Sequence, residues 1–190
     1  LALETVLDLA QVPVFGLIEA AGRMIQEKRV GVLATPATAA SRAYSRHLLS
    51  VEPEVFVLEQ ACPAFVPMIE SGDTSSFEIR SIANEYLKPL LEQEIESLIL
   101  GCSHYPLISP ILSEILPSSV KLIDPAEALS LKLKFYMDSK TSNVKKKKYL
   151  VDSKFYVTSD PKKFPIRAKY WLNVFPEVNL VSLQKKGWVS

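Results

Sequence analysis

Short apolar runs alternate along the chain with longer segments in which apolar residues recur every three or four positions. Short runs bounded by turn residues are typical of buried strands, and the 3.6-residue spacing is typical of amphipathic helices. Strands that alternate with helices of about ten residues or more predict an α/β fold with a parallel sheet. The predicted strands are 12–18, 30–34, 54–59, 97–100, 120–123, 154–158 and 178–183, and the predicted helices are 1–10, 20–28, 39–49, 62–72, 79–91, 107–116, 126–137 and 162–172.

Polar side chains follow three of these strands at the points where they end. Thr35 and Thr38 follow the second predicted strand, Cys62 follows the third, and the segment 102–104 follows the fourth. Ligands of parallel α/β sheets usually bind beyond the carboxyl ends of the strands. We therefore expect these side chains to meet at one edge of the sheet.

The segment Gly101-Cys102-Ser103-His104 is the most informative in the chain, because it brings a thiol and an imidazole to a strand-to-helix turn. A free cysteine has a pKa of about 8.5, and a helix N-terminus beside an imidazole lowers that pKa toward neutrality. We expect this effect on Cys102. The alternative is that Cys102 ends a buried strand as a small apolar residue and His104 caps a helix.

A thiol beside a histidine is either a nucleophile or a proton-transfer base. Cysteine hydrolases usually take their histidine from further along the chain and orient it with Asn or Asp, which favours the base here. Proton transfer at a carbon acid needs a base, a second acid on the opposite face, and groups that hold a carboxylate. Hydroxyl groups such as those of Thr35, Thr38 and Ser103 suit that last role, and they are equally suited to capping helices.

Composition excludes several classes of protein. The formal net charge of +1 over 190 residues offers no electrostatic basis for binding nucleic acid or a membrane surface. Two cysteines and two histidines are too few for a disulfide framework, and they are not spaced for zinc. No apolar run reaches the length of a membrane span, and no basic segment followed by an apolar one indicates a secretory signal in the given sequence. A cytoplasmic location is therefore expected.

Three motifs, at 30–38, 61–72 and 100–107, resemble in order and spacing those of the bacterial glutamate racemase family. Residues 155–160 are similar to the C-terminal segment of that family. The resemblance implies interconversion of L- and D-glutamate without a cofactor or metal, by two cysteines that face opposite sides of the α-carbon. It also implies a role in supplying D-glutamate for peptidoglycan.

The resemblance assigns roles to single residues. Cys102 matches the second of the two bases, and His104 would assist its change of protonation. Glu70 matches a carboxylate near the active site that would tune its charge, the alternative being a solvated glutamate at a helix end. Cys62 matches a residue that is common in the family but not catalytic, and it is interpreted as packing. The positions that match substrate-binding residues are Thr35, Thr38, Ser103 and His104.

The family also implies the organisation of the chain. Two pseudo-symmetric α/β subdomains would face each other across the site, with residues 16–125 forming a complete one and residues 1–15 and 126–190 forming part of the other. The family's first catalytic cysteine, in a Cys-Asn-Thr motif, is absent, so the chain is expected to be a fragment that does not racemise alone. The whole protein is expected to be a homodimer. An aspartate racemase-like enzyme and a non-catalytic amino-acid-binding remnant are the alternatives.

Overall fold

The computed structural model describes residues 3–140 and 153–182, and the chain divides into two compact units, 1–140 and 141–190. The first unit holds a four-stranded sheet and the second a two-stranded sheet. Residues 1–2 of the first predicted helix and residue 183 of the last predicted strand lie outside the described residues. No helix within the described ranges is long and apolar enough to cross a membrane.

The sheet of the first unit is parallel throughout and has the order β2-β1-β3-β4. Its central strand β1 pairs with β2 and β3, and every residue from 30 to 34 is buried. Strands buried on both faces are nearly continuous apolar runs, which is how their sequences read. The predicted parallel α/β architecture is therefore confirmed. The strands are β1 (Arg29–Ala34), β2 (Phe56–Ala61), β3 (Ser97–Leu100) and β4 (Lys121–Ile123).

Helices connect these strands and cover the sheet. A four-residue 3-10 turn, Tyr105–Ile108, follows β3 and leads directly into α7. Buried side chains of α2 and α4 pack with the central strands in one core cluster. The helices of this unit are α1 (Leu3–Leu9), α2 (Leu17–Gly22), α3 (Pro36–Ser41), α4 (Ala43–Val51), α5 (Phe65–Glu70), α6 (Phe77–Leu91), α7 (Ser109–Ile115) and α8 (Pro125–Lys140).

Three local predictions are wrong, and one of them is the helix predicted for 20–28, because α2 ends at Gly22. The segment 12–18 is not a strand: Gly16 is the extended residue that precedes α2, which begins at Leu17. A strand needs a partner for its backbone groups, and none of the described strands pairs with this segment. The helix predicted for 39–49 is two helices, because Arg42 adopts a left-handed conformation with φ of 51° between α3 and α4.

The second unit contains β5 (Phe155–Val157), α9 (Lys163–Leu172) and β6 (Val178–Leu180). The two strands are parallel and are joined through α9, which ends at the left-handed residue Asn173. Within the first unit, α8 packs against α2. The assignment of 16–125 to one subdomain and of 1–15 with 126–190 to the other stays a prediction.

Candidate active site

The ends of three neighbouring strands are held together by backbone hydrogen bonds. The Cys62 N–H donates to the Ala34 carbonyl at 2.8 Å, and the Gly101 N–H donates to the Leu33 carbonyl at 2.8 Å. Since the strands are parallel, the polar segments that follow β1, β2 and β3 begin side by side at the same edge of the sheet. This is the arrangement that the sequence predicts.

Gly101 allows the turn after β3 to pass close to β1. A Cβ atom at this position would lie 2.6 Å from the Leu33 carbonyl oxygen and 3.1 Å from Cε2 of the buried Tyr44. Both distances are too short for a side chain at this residue. Glycine therefore places the backbone of Cys102 directly beside the central strand.

A thiol, an imidazole and a carboxylate lie in a row at this edge. The Cys102 Sγ is 3.8 Å from His104 Nδ1, and His104 Nε2 is 3.4 Å from Glu70 Oε1. Glu70 is the last residue of α5, and its side chain and that of His104 are each about one-third exposed (36% and 33%). The three predicted catalytic residues are therefore brought together, with the imidazole in the middle.

The thiol of Cys102 is less acidic than expected. Its partial burial raises the pKa above the ordinary value, while a hydrogen bond from the His104 backbone N–H to the sulfur lowers it by less. The expectation of a lowered pKa is wrong, because the burial of the thiol outweighs the hydrogen bond that its sulfur accepts. The His104 side chain does not cap the 3-10 turn Tyr105–Ile108. Cys102 is therefore a protonated thiol that lies within reach of an imidazole.

Thr35 and Thr38 bond to each other. The Thr35 hydroxyl donates to Thr38 Oγ1 at 3.0 Å and accepts the Thr38 N–H at 3.4 Å, which makes Thr35 the N-cap of α3. Within these described contacts, Thr38 accepts through its hydroxyl oxygen, and that group retains a proton of its own to donate. Ser103 is exposed next to Cys102. The capping alternative therefore describes Thr35 better than Thr38.

Cys62 is a packing residue in this structure. It is 1% exposed, its S–H lies 3.5 Å from the Gln60 carbonyl oxygen, and burial raises its pKa to about 12. A thiol in that state is unreactive at neutral pH. The two cysteines of the chain therefore differ sharply in chemistry, although both follow strands of the same sheet.

Sequence reasoning misses a partly buried carboxylate beside this edge. Glu59, on β2, accepts hydrogen bonds from the Ser45 backbone N–H (2.8 Å) and hydroxyl (2.7 Å) through Oε1. Its Oε2 is buried and has no hydrogen-bond partner within the described residues. Burial, together with the nearby Glu59 and Cys102, raises the pKa of Tyr44. The sequence signal that could have predicted this carboxylate is the occurrence of Glu59 within an apolar strand.

The fold and this edge define a parallel α/β protein with a thiol, an imidazole and a carboxylate in a row at the carboxyl ends of its strands. In the described parts of the chain, no group of three or more His, Cys, Asp or Glu side chains is arranged to hold a metal ion.

Comparisons with known proteins agree with this description. The Asp/Glu/Hydantoin racemase family model matches residues 1–131. The glutamate racemase of Prochlorococcus marinus (strain NATL2A) is 63% identical over 190 residues, which cover all of this chain and 72% of the relative. The glutamate racemase of Gloeobacter violaceus is 38% identical over 185 residues, which cover 96% of this chain and 68% of the relative.

Solved structures point to the same family. The structure of Francisella tularensis glutamate racemase in complex with D-glutamate superimposes with a TM-score of 0.84 at 34% identity, covering 96% of this chain and 69% of that one. The Thermus thermophilus enzyme, in complex with β-chloro-D-alanine, gives a TM-score of 0.79 at 30% identity, covering 95% and 66%. The chain therefore belongs to the Asp/Glu/hydantoin racemase family, and within it to the glutamate racemases.

Proposed function

We propose that this chain provides the Cys102 side of a cofactor-independent, two-base racemisation of glutamate. The observation that carries the proposal is the row formed by the Cys102 thiol, the His104 imidazole and the Glu70 carboxylate. A carbon acid requires a base that can be regenerated within the site, and an adjacent imidazole allows the thiol to change its protonation state without bulk water.

In one direction, the Cys102 thiol gives its proton to His104 Nδ1 and becomes a thiolate. The thiolate takes the α-proton of L-glutamate, and the electron pair of the broken C–H bond stays on the substrate, where its carboxylate shares the charge. A second acid on the opposite face of the α-carbon then delivers a proton and completes the inversion. In reverse, the Cys102 thiol is the proton donor, and its raised pKa favours the protonated form from which it starts.

The hydroxyl groups next to the thiol bind the substrate. Thr38 has a hydroxyl proton to donate to a carboxylate, and Ser103 presents an exposed hydroxyl beside Cys102. Thr35 orients Thr38 and caps α3. His104 contacts the substrate from the side that faces Cys102. These groups suit a substrate that carries a carboxylate near its reacting carbon.

The proposal also covers the use of the product, the location of the protein and its oligomeric state. The product, D-glutamate, serves peptidoglycan synthesis, the protein is cytoplasmic, and the whole protein is a homodimer whose small-molecule partner is glutamate. The names of the relatives and of the D-glutamate complex support the substrate. Light scattering on the protein as it elutes from a size-exclusion column measures the oligomeric state. Fractionation of cells measures the location.

Solvent exchange tests the reaction itself. The product of the whole gene is incubated with L-glutamate in D₂O, and loss of the α-proton signal is followed by NMR. We expect exchange in the parent and its loss in Cys102→Ser, with Cys62→Ala as the control that retains it. Parental racemisation by Cys102→Ser would overturn the mechanism. Faster exchange with aspartate would favour the aspartate racemase-like alternative, and binding without exchange would favour the amino-acid-binding one.

A further inference from the structure

We propose that Tyr105 is a positioning residue that sets the distance between the Glu70 carboxylate and the His104 imidazole. The inference rests on the proposed function, because it concerns how the same thiol–imidazole–carboxylate row is held. Glu70 and His104 lie on different elements, α5 and the turn after β3. Their pairing therefore depends on whatever fixes α5 against that turn.

Tyr105 is the residue next to His104, and its side chain points into the protein rather than into the site. It is completely buried, and its hydroxyl donates to the Cys62 carbonyl at 3.3 Å. Cys62 is in turn tied to the central strand by the bond from its N–H to the Ala34 carbonyl. The backbone that carries His104 is thus anchored to the turn that leads into α5.

The ring of Tyr105 also contacts the first residue of α5. It meets the Phe65 ring edge-on, with centroids 5.3 Å apart and an interplanar angle of 81°. Phe65 meets Tyr86 of α6 in the same way, at 5.1 Å and 80°. The Tyr86 hydroxyl accepts the Ala64 N–H at 3.3 Å. The first residue of α5 therefore packs between the rings of two tyrosines.

These contacts with Tyr86 and Tyr105 take the place of an ordinary helix cap. Ala64, which precedes α5, has no side-chain hydrogen bond to the helix. At a rise of about 1.5 Å per residue, Glu70 lies roughly 7.5 Å along the helix from Phe65. A shift of the helix start is therefore transmitted directly to the carboxylate. Burial raises the pKa of Tyr105, so its hydroxyl remains a hydrogen-bond donor at any pH at which the protein is assayed.

The pH dependence of Cys102 alkylation by iodoacetamide tests this inference on the protein without turnover. In the proposed relay the His104 imidazole takes the proton of the Cys102 thiol, and the Glu70 carboxylate contacts that imidazole from the other side. We expect Tyr105→Phe and Glu70→Gln each to slow alkylation at neutral pH about threefold, which corresponds to half a pH unit. If Tyr105 acts through Glu70, the double variant is slowed no more than either single variant.

The controls separate positioning from a general structural effect. Tyr136→Phe, which removes a hydroxyl on α8, is expected to keep the parental profile. Phe65→Leu removes the ring contact at the other end and is expected to match Tyr105→Phe. If Tyr105→Phe and Phe65→Leu both show the parental pH dependence of Cys102 alkylation, the inference is overturned. An additive effect in the double variant would also overturn it. If Glu70→Gln and His104→Gln leave the profile unchanged, the proton relay of the proposed function fails instead.

Discussion

The Glu70 carboxylate and the Cys102 thiol lie on opposite sides of one imidazole, that of His104. A carboxylate beside Nε2 favours the tautomer that carries its proton there, which leaves Nδ1 to accept a proton from sulfur. The pairing of Glu70 with His104 thus favours the tautomer in which Nδ1, the nitrogen that faces the thiol, carries no proton. Glu70 lies 34 positions before His104 in the sequence, so only the fold brings this carboxylate to the imidazole.

Replacing Glu70 by Gln keeps a hydrogen-bond acceptor and removes the charge. Since both side chains of the pair are about one-third exposed, solvent screening limits its contribution to about 0.5–1 kcal/mol. We expect α-proton exchange to slow by about two- to fivefold. The control is Glu92→Gln, an exposed glutamate at the end of α6. Equal rates in Glu70→Gln and the parent would contradict a role for this charge.

Alkylation should distinguish the two cysteines. Cys102 is half-buried beside an imidazole, whereas Cys62 is buried with a pKa of about 12. Because the thiolate is the reactive form, we expect iodoacetamide at pH 8–9 to modify Cys102 and to leave Cys62 unmodified in the folded protein. Peptide mass spectrometry measures both sites in one sample, and both are expected to react in urea. Comparable labelling in the folded state would disprove the difference.

Cys62 should make the fold sensitive to alkali. Its folded-state pKa lies above the unfolded value of about 8.5, so its contribution to stability is fully present below that pH and is lost as the pH rises toward about 12. In that window the unfolded chain binds fewer protons, and the free energy of unfolding falls by up to about 1.4 kcal/mol per pH unit for this group. Urea titrations at pH 8 and pH 10.5 measure the change. We expect a smaller decrease in Cys62→Ala, and an identical one would refute the assignment.

Gly101 and Gly72 offer a matched pair of substitutions. A Cβ at Gly101 would meet the Leu33 carbonyl at 2.6 Å, whereas Gly72, with φ of 93°, has nothing within 4 Å. We expect Gly101→Ala to cost about 1–3 kcal/mol through overpacking. Gly72→Ala should cost about 1 kcal/mol from backbone strain alone. Chemical denaturation measures both, and only Gly101→Ala is expected to slow Cys102 chemistry.

The two threonines after β1 should separate in their effects. Thr35→Val removes the cap of α3 and is expected to cost about 1 kcal/mol of stability. Ser76→Ala, which removes the corresponding cap of α6, is its control and should cost a similar amount. Thr38→Val should leave stability closer to the parent and raise KM for glutamate. A larger rise in KM for Thr35→Val than for Thr38→Val would contradict the roles proposed above.

The parts of the fold that follow from local pattern were predictable from the sequence. The strands β1 and β3 are uninterrupted apolar runs, because they are buried on both faces of a parallel sheet. The long helix α6 has a regular apolar stripe that the sequence predicts, and Ser76 is its N-cap. The shared edge at which Thr35, Cys62 and Cys102 emerge follows from parallel topology alone.

Other features depend on contacts between distant residues and leave little signal in the sequence. The left-handed Arg42 divides a continuous helical pattern into two helices. The raised pKa of Cys102 reflects its burial by the surrounding fold. The hydrogen bond from Tyr105 to Cys62 spans 43 residues. No periodicity encodes these relationships.

The contrast between the two sulfurs makes the chain convenient for spectroscopy. A trifluoromethyl or fluorescent thiol reagent would attach to Cys102 and spare Cys62 without any prior mutagenesis. The label would lie beside the glycine that touches β1 and two residues before the imidazole. Its chemical shift or emission would report ligand arrival directly from the reaction centre.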